Sequence, residues 1–281
     1  MIVFEQISQM RRWSETARGQ GSRLVLVPTM GSLHEGHLSL VRDAKKRGDN
    51  VVVSVFVNPA QFAPHEDFAG YPRDFARDRK LLESEAVDVM FHPSVDEIYP
   101  EGRESYVDVG PLGLPLCGAF RPGHFRGVAT IVVKLFNIAL PHVAIFGCKD
   151  YQQLQVIRKM TRDLDFTVEI VGHPTVREAD GLALSSRNIY LQPAERQAAL
   201  CLSRSLRLAG ALVKQGEKRA SVILDVVRSE IAKEPLVHLE YTNLCNPENL
   251  ADVEAIDGIA LLALAVRIGK ARLIDNMLLE L

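Results

Sequence analysis

The stretch LVLVPTMGSLHEGHLSL, Leu24 to Leu40, limits the possible fold more than any other, because it passes from an apolar strand through a turn into a helix carrying two histidines. Leu24, Val25, Leu26 and Val27 have the length and β-branched content of a strand buried on both faces of a parallel sheet, and Pro28 ends the run where open α/β sheets bind ligands. His34 at the mouth of the next helix and His37 one turn on fall on one face, beside backbone N–H groups that lack helical partners. Such a helix start suits phosphate. Gly36 lets a triphosphate approach the backbone, and Gly31 permits the tight turn before the helix. The rival is a metal site. A zinc helix needs histidines four apart with a glutamate after the first; Glu35 is present, but position 38 is Leu38 and no His or Cys cluster stands nearby. No dedicated protein metal site is expected, and the plain alternative is a packed or solvated histidine pair.

The 281 residues, 47% of them hydrophobic, can bury one large core and a smaller companion. A formal charge of −2, with Lys and Arg dispersed among acids, gives no nucleic-acid surface. Cys117, Cys148, Cys201 and Cys245 lie far apart without C-x-x-C spacing and read as free thiols of a reducing compartment. The N-terminus carries charges too early for a signal peptide, and no apolar run spans a bilayer, so a cytoplasmic protein without a membrane partner is expected.

Along the chain, Ile7, Met10 and Trp13 place a helix over Glu5 to Arg18 that packs on the first strand, taken here as the Leu24 run. VVVSVFVNP is a second buried strand, delivering Asn58, Gln61 and Phe62 to the edge that holds His34. A carboxamide at Gln61 offers two donors and an acceptor to a substrate with hydroxyl and carboxylate groups, unless it is merely a solvated loop residue. A helix over Pro72 to Glu85 and the strand VDVMFHP follow, with His65 and His92 solvated or structural. Val95 to Pro122 is an excursion from the sheet containing one strand at Tyr106 to Val109. An apolar helix through Val132 and Phe136 comes next; His124, Arg126 and Lys134 either meet phosphate or carboxylate or serve as caps and surface charge.

HVAIFG forms the next buried strand, and Cys148, Lys149 and Asp150 lead into a helix bearing Gln152, Gln153 and Gln155. Lys149 can neutralise triphosphate charge; Asp150 caps the helix, holds a ribose hydroxyl or takes a magnesium-bound water. Gln153 faces the crevice as Gln61 does. TVEIVG supplies the last strand, and the loop after it offers Ser185, Ser186 and Arg187 to phosphate oxygens. Beyond Tyr190 two helices, Pro193 to Lys214 and Arg219 to Lys233, precede strands at Leu236–Leu244, Ile259–Ile268 and Arg272–Leu279, with Gly269 and Lys270 in a hairpin turn. The expected architecture is α/β: a Rossmann-like doubly wound parallel sheet over residues 1–174, and a smaller C-terminal α+β lid over 175–281.

Five stretches, PTMGSLHEGH (28–37), VNPAQF (57–62), RPGHFRGVAT (121–130), FGCKDYQQL (146–154) and LSSRN (184–188), together resemble the pantothenate synthetases, ligases of the H-x-G-H nucleotidyltransferase superfamily that join pantoate to β-alanine. The resemblance implies ATP with Mg2+, a pantoyl adenylate intermediate and a homodimer. It assigns ATP binding to Met30, Gly31, Ser32, Leu33, His34, Glu35, Gly36 and His37, to Gly147, Cys148, Lys149 and Asp150, and to Val176, Leu184, Ser185, Ser186 and Arg187. Substrate falls to Gln61, Gln153, Met30 and Asn58, and catalysis to His34, His37, Lys149, Ser185, Ser186 and Arg187. Cys148 replaces a polar residue of the family and Leu184 a methionine; little loss is expected from either. A nucleotidyltransferase making a dinucleotide cofactor would carry more cations about its attacking phosphate, and a nucleotide sensor would lack one of the two phosphate motifs.

Overall fold

The computed structural model describes residues 1–64 and 66–281, so the reading of His65 lies outside the described residues. Six apolar runs meet in a parallel sheet: Ile2–Phe4 (β1), Leu24–Thr29 (β2), Asn50–Val55 (β3), Val89–Phe91 (β4), Val143–Gly147 (β5) and Glu169–His173 (β6), in the order β1-β4-β3-β2-β5-β6. The chain winds outward from β2 to β3 and β4, then restarts at β5 on β2's other side, pairing Val25 with Val143. The winding reverses between β2 and β5, and the carboxyl ends of these two strands open into a crevice. β1 was not anticipated. Three residues are too few to show a period, and only pairing with β4, Ile2 against Val89, makes them a strand.

Helices cover both faces of the sheet, as burial of a parallel sheet requires. The α-helical segments of this unit are Ile7–Gly19 (α1), Glu35–Ala44 (α2), Phe75–Ser84 (α3), Val95–Ile98 (α4), Cys117–Phe120 (α5), His124–Ala139 (α6) and Tyr151–Asp163 (α7). Alternation along β2 divides the core: Leu26 packs with Met10, Val128, Leu135 and Ile157 of α1, α6 and α7, whereas Val25 and Val27 pack with Val41 and Leu82 of α2 and α3. α1 leans on α6 as well as on the sheet, with Arg11 donating to the Asn137 carbonyl. α3 begins at Phe75 rather than Pro72 because the Asp74 carboxylate caps it, accepting from the Arg77 N–H at 3.0 Å.

The strand expected at Tyr106 to Val109 is absent; the segment pairs with no strand, and Val109, at φ −108° and ψ 8°, has left the extended region. It runs across α6 instead, Val107 donating to Thr130 Oγ1 at 3.0 Å, with the Tyr106 ring beneath the Arg126 guanidinium. Its apolar alternation reflects packing on α6, and a ladder partner is what the sequence could not supply.

The C-terminal unit packs Pro193–Ala199 (α8), Cys201–Lys214 (α9) and Ala220–Ile231 (α10) on an antiparallel sheet of Val237–Cys245 (β7), Ile259–Ile268 (β8) and Ala271–Glu280 (β9). The single helix expected over Pro193 to Lys214 is divided at Leu200, whose N–H bonds to Gln197 three residues back, tightening one turn. Leu262, Leu264, Val266 and Ile268 of β8 face the helices, with Leu206, Ile223 and Val227. The alternate residues Leu261 and Ala263 face the first unit, against Leu116 of the excursion. Asn276 of β9 fastens the two units, its Nδ2 donating to the carbonyls of Cys148 at 3.0 Å and Lys149 at 2.8 Å. Among the described residues no helix is long and apolar enough to cross a membrane.

Candidate active site

The turn after β2 is shaped by a residue that sequence patterning did not single out. Asp78 of α3 is buried and accepts from the N–H groups of Ser32 and Leu33, each at 2.8 Å. Burial raises its pKa against the pull of those two bonds. Gly31 sits at φ +75°, and a Cβ there would come within 2.9 Å of the Asp78 carboxylate, so the turn requires glycine on both counts. An acid inside a helix reads as surface charge, and no local signal separates Asp78 from Glu83.

His34 stands at the N-terminal boundary of α2, and its N–H donates to Nδ1 of His37 at 3.3 Å. The neutral His37 ring therefore carries its proton on Nε2. Burial, then the His34 and Lys149 charges, lowers the His37 pKa to about 3. Burial, then Lys149 and Arg77, lowers that of His34 to about 4. Both rings are neutral near pH 7, and Nδ1 of His34 is buried without a hydrogen-bond partner. Packing alone calls for glycine at Gly36: a Cβ there would meet the His34 ring at 2.9 Å.

Asn58, fully buried, donates to Gln61 Oε1 at 3.0 Å and to the Gly127 carbonyl, and accepts from the Tyr99 hydroxyl at 2.7 Å. Its polar atoms are thus engaged in fixing Gln61, whose Nε2 lies 3.0 Å from Met30 Sδ. Behind Gln61, His124 donates from Nδ1 to the Gln61 carbonyl at 2.9 Å and accepts at Nε2 from Arg121 at 3.1 Å. Burial and Arg121 lower the His124 pKa to about 3, keeping the ring neutral. Arg121 also grips Glu66 through Nε at 2.6 Å and Nη2 at 2.8 Å. Burial alone would raise the Glu66 pKa, but the paired guanidinium holds it at about 2. Arg126 and Lys134 lie elsewhere, over the rings of Tyr106 and Tyr99, and His92 bonds the Val55 carbonyl.

At the end of β5, Lys149 and Asp150 face the crevice. Asp150 occupies the N-cap position of α7, yet its side chain makes no capping bond. Gln152 is structural, bonding the carbonyls of Leu112 and Pro115 and the Cys117 N–H, whereas Gln153 lines the crevice. In the loop after β6, Leu184 N–H bonds the Val176 carbonyl, Ser186 Oγ donates to the Ser32 carbonyl at 3.3 Å, and Arg187 pairs with Asp67 at 3.0 Å.

These groups converge on a cavity of about 240 Å3. Met30, His34, His37, Asn58, Gln61, Lys149, Gln153, Ser185, Ser186 and Arg187 line it, with Gly36, Gly147, Asp150, Val176 and Leu184, over an apolar floor that includes Phe56 and Val128. Gly31, Ser32, Leu33, Glu35 and Cys148 do not line it; Glu35 turns outward to Arg42, and Cys148 is partly buried with its thiol pKa raised by burial. No cluster of three or more His, Cys, Asp or Glu fit for a metal occurs among the described residues.

A parallel sheet with its crevice at the switch point and an H-x-G-H helix start at that crevice define an α/β enzyme of the H-x-G-H class. The family model described as pantoate-beta-alanine ligase matches residues 2–278. A pantothenate synthetase of Heliobacterium modesticaldum is 54% identical over 280 residues, covering all of both chains, and that of Geobacter sulfurreducens is 51% identical over 99% of each. Among solved structures, the pantothenate synthetase of Thermus thermophilus superposes with TM-score 0.94 at 45% identity over 99% of each chain. The ligase of Francisella tularensis, solved with beta-gamma ATP and beta-alanine, does so with TM-score 0.80 at 34% identity, over 99% of this chain and 97% of the other. The chain belongs to the pantoate-beta-alanine ligase family.

Proposed function

We propose that the enzyme condenses pantoate with β-alanine at the expense of ATP, through a pantoyl adenylate, releasing pyrophosphate and then AMP. The observation that carries this reading is the meeting in one crevice of two neutral histidines with Lys149 and Arg187 beside two carboxamides on an apolar floor. The Francisella relative, which holds an ATP compound and β-alanine, supports it.

In the first step a pantoate carboxylate oxygen attacks the α-phosphorus, and the bond to the β-phosphate oxygen breaks to release pyrophosphate. Charge gathers on the non-bridging oxygens, where His34, His37, Lys149, Ser185, Ser186 and Arg187 can donate. Neutral imidazoles suit this task, since His37 presents Nε2–H while its Nδ1 is held by the backbone. Gln61, fixed by Asn58 and Met30, and Gln153 grip the pantoate hydroxyls, and the gem-dimethyl carbon rests on the apolar floor. Magnesium would arrive on the triphosphate and neutralise part of its charge; Asp150, free of a capping bond, is the carboxylate fit for a metal-bound water.

In the second step the free amine of β-alanine attacks the acyl carbon, the acyl–oxygen bond breaks, AMP leaves and the nitrogen gives up a proton. The mixed anhydride must be kept from water. We assign that task to the segment from residue 175, acting as a lid over the 1–174 unit. A cytoplasmic homodimer belongs to the same reading, and a monomeric mass on a sizing column would count against the dimer. The central test is to supply ATP, magnesium and a panel of hydroxy acids without amine: pantoate should release pyrophosphate, and its failure to do so overturns the adenylate.

A further inference from the structure

A second cavity, of about 310 Å3, lies between the antiparallel sheet and the phosphate-facing loops. It shares Lys149, Ser185 and Arg187 with the first, so the two meet along the groups assigned to the triphosphate. Its far wall is one face of the C-terminal sheet. Alternation puts Arg267 of β8 on that face in line with Leu261 and Ala263, and Arg272 of β9 in line with Ile274 and Asn276. The wall is apolar in the middle and cationic at the β8–β9 turn, where Lys270 adds a third positive charge.

Arg267 and Arg272 are cross-strand partners, an arrangement of like charges that ordinarily destabilises a sheet. Glu240 of β7 relieves it in part, pairing with Arg267 Nε at 2.6 Å and Arg272 Nε at 2.8 Å. The Glu195 carboxylate also lies against Gly269 of the turn, so two carboxylates stand among three cations and the hairpin keeps a single net positive charge, while Nη2 of Arg272 is buried with no hydrogen-bond partner. Six cationic and four acidic side chains line the cavity as a whole. Three of the acids are already taken: Glu66 by Arg121, Asp67 by Arg187 and Asp275 by Arg177. Asn276 is tied to the Lys149 carbonyl, and Arg272 stands four residues, about 13 Å, back along β9 toward the turn. The cationic tip is thus held about four strand residues from the point where β9 is fastened beside Lys149.

We propose that the Arg267–Lys270–Arg272 hairpin is a second subsite for a phosphate-type polyanion, taking the inorganic pyrophosphate as it leaves Lys149 and Arg187 and so clearing the approach of the amine. The proposal rests on the adenylate reading. The carboxylate of the amine substrate shares the same anionic chemistry, and the test separates the two.

Inorganic pyrophosphate is titrated calorimetrically into the full chain and into the double variant Arg267→Gln/Lys270→Gln, which changes two exposed side chains and leaves the partly buried Arg272 in place. The variant should bind pyrophosphate about tenfold more weakly, with ATP affinity held within about twofold, and pyrophosphate should lose potency as a product inhibitor by a similar factor. Unchanged pyrophosphate affinity overturns the subsite. A raised half-saturating β-alanine concentration with pyrophosphate affinity unchanged overturns it too, giving the hairpin to the amine's carboxylate. If wild-type protein releases no pyrophosphate from ATP and pantoate, the adenylate reading fails on its own, and the direct titration still decides whether the hairpin binds the anion.

Discussion

The rings of His34 and His37 lie with centroids 4.1 Å apart and planes tilted by 38°, while the backbone N–H of the first donates to Nδ1 of the second. The contact leaves room for at most one positive charge, and burial beside Lys149 disfavours even one.

The pH dependence follows with a definite sign. Both folded-state pKa values, about 4 and about 3, lie below the unfolded value of 6.5, so the unfolded chain binds more protons between them. Stability contributed by these groups should fall as pH drops from about 6.5 toward 4, His124 adding to the same trend. Denaturation midpoints measured across that range should flatten in His34→Gln and His37→Gln variants; an unaltered slope would show that the imidazoles are not depressed.

Removing either ring should leave the fold intact and slow pyrophosphate release in the first half-reaction by roughly a hundredfold or more, the scale on which lost donors to a developing oxyanion act. His34→Ala and His37→Ala proteins with normal native spectra and near-normal release would take both residues out of catalysis.

Gln61→Ala and Gln153→Ala should weaken pantoate far more than ATP. Asn58→Ala should do the same at one remove, by about tenfold, because it frees the Gln61 carboxamide from a bond of 3.0 Å. Equilibrium titration with each ligand decides it, and equal losses for ATP and pantoate would deny the glutamines a substrate role.

Asp78→Ala should lower stability by about 3 kcal/mol, since two backbone N–H groups lose a charged acceptor in a buried turn. The turn carries Met30 and leads into His34, so ATP affinity should weaken as well. A variant as stable as wild type would leave the turn's geometry to Gly31 alone.

The crevice was legible in the chain because its parts are local. LVLV and VVVSV announce strands buried on both faces, and His34, His37 and Lys149 each lie within a few residues of a strand end or helix start. What escaped depends on partners distant in sequence. Asp78 acts on a turn about 45 residues earlier, Arg121 closes on Glu66, and Tyr99 fixes Asn58, all through side chains with no periodic signature. β1 escaped and a strand at Tyr106 was wrongly expected for one reason: a short segment becomes a strand only when another lies beside it.

The route of the oxygen atoms tests the mechanism itself. Direct attack by the pantoate carboxylate on the α-phosphorus makes one carboxylate oxygen the bridge between acyl group and phosphate. When the amine cleaves the acyl–oxygen bond, that atom departs with AMP. Pantoate labelled with heavy oxygen in both carboxylate positions should therefore pass one labelled atom to AMP and keep the other in the amide of the product. Activation by γ-phosphoryl transfer would label inorganic phosphate instead and leave ADP. The site favours AMP: the histidines, Lys149 and Arg187 surround one crevice beside a helix start, and the chain has no G-x-x-x-x-G-K-[ST] loop to cradle a transferring γ-phosphate. Mass spectrometry of the nucleotide product reads the label directly, and unlabelled AMP from labelled pantoate would sink the adenylate mechanism even if pantothenate were formed.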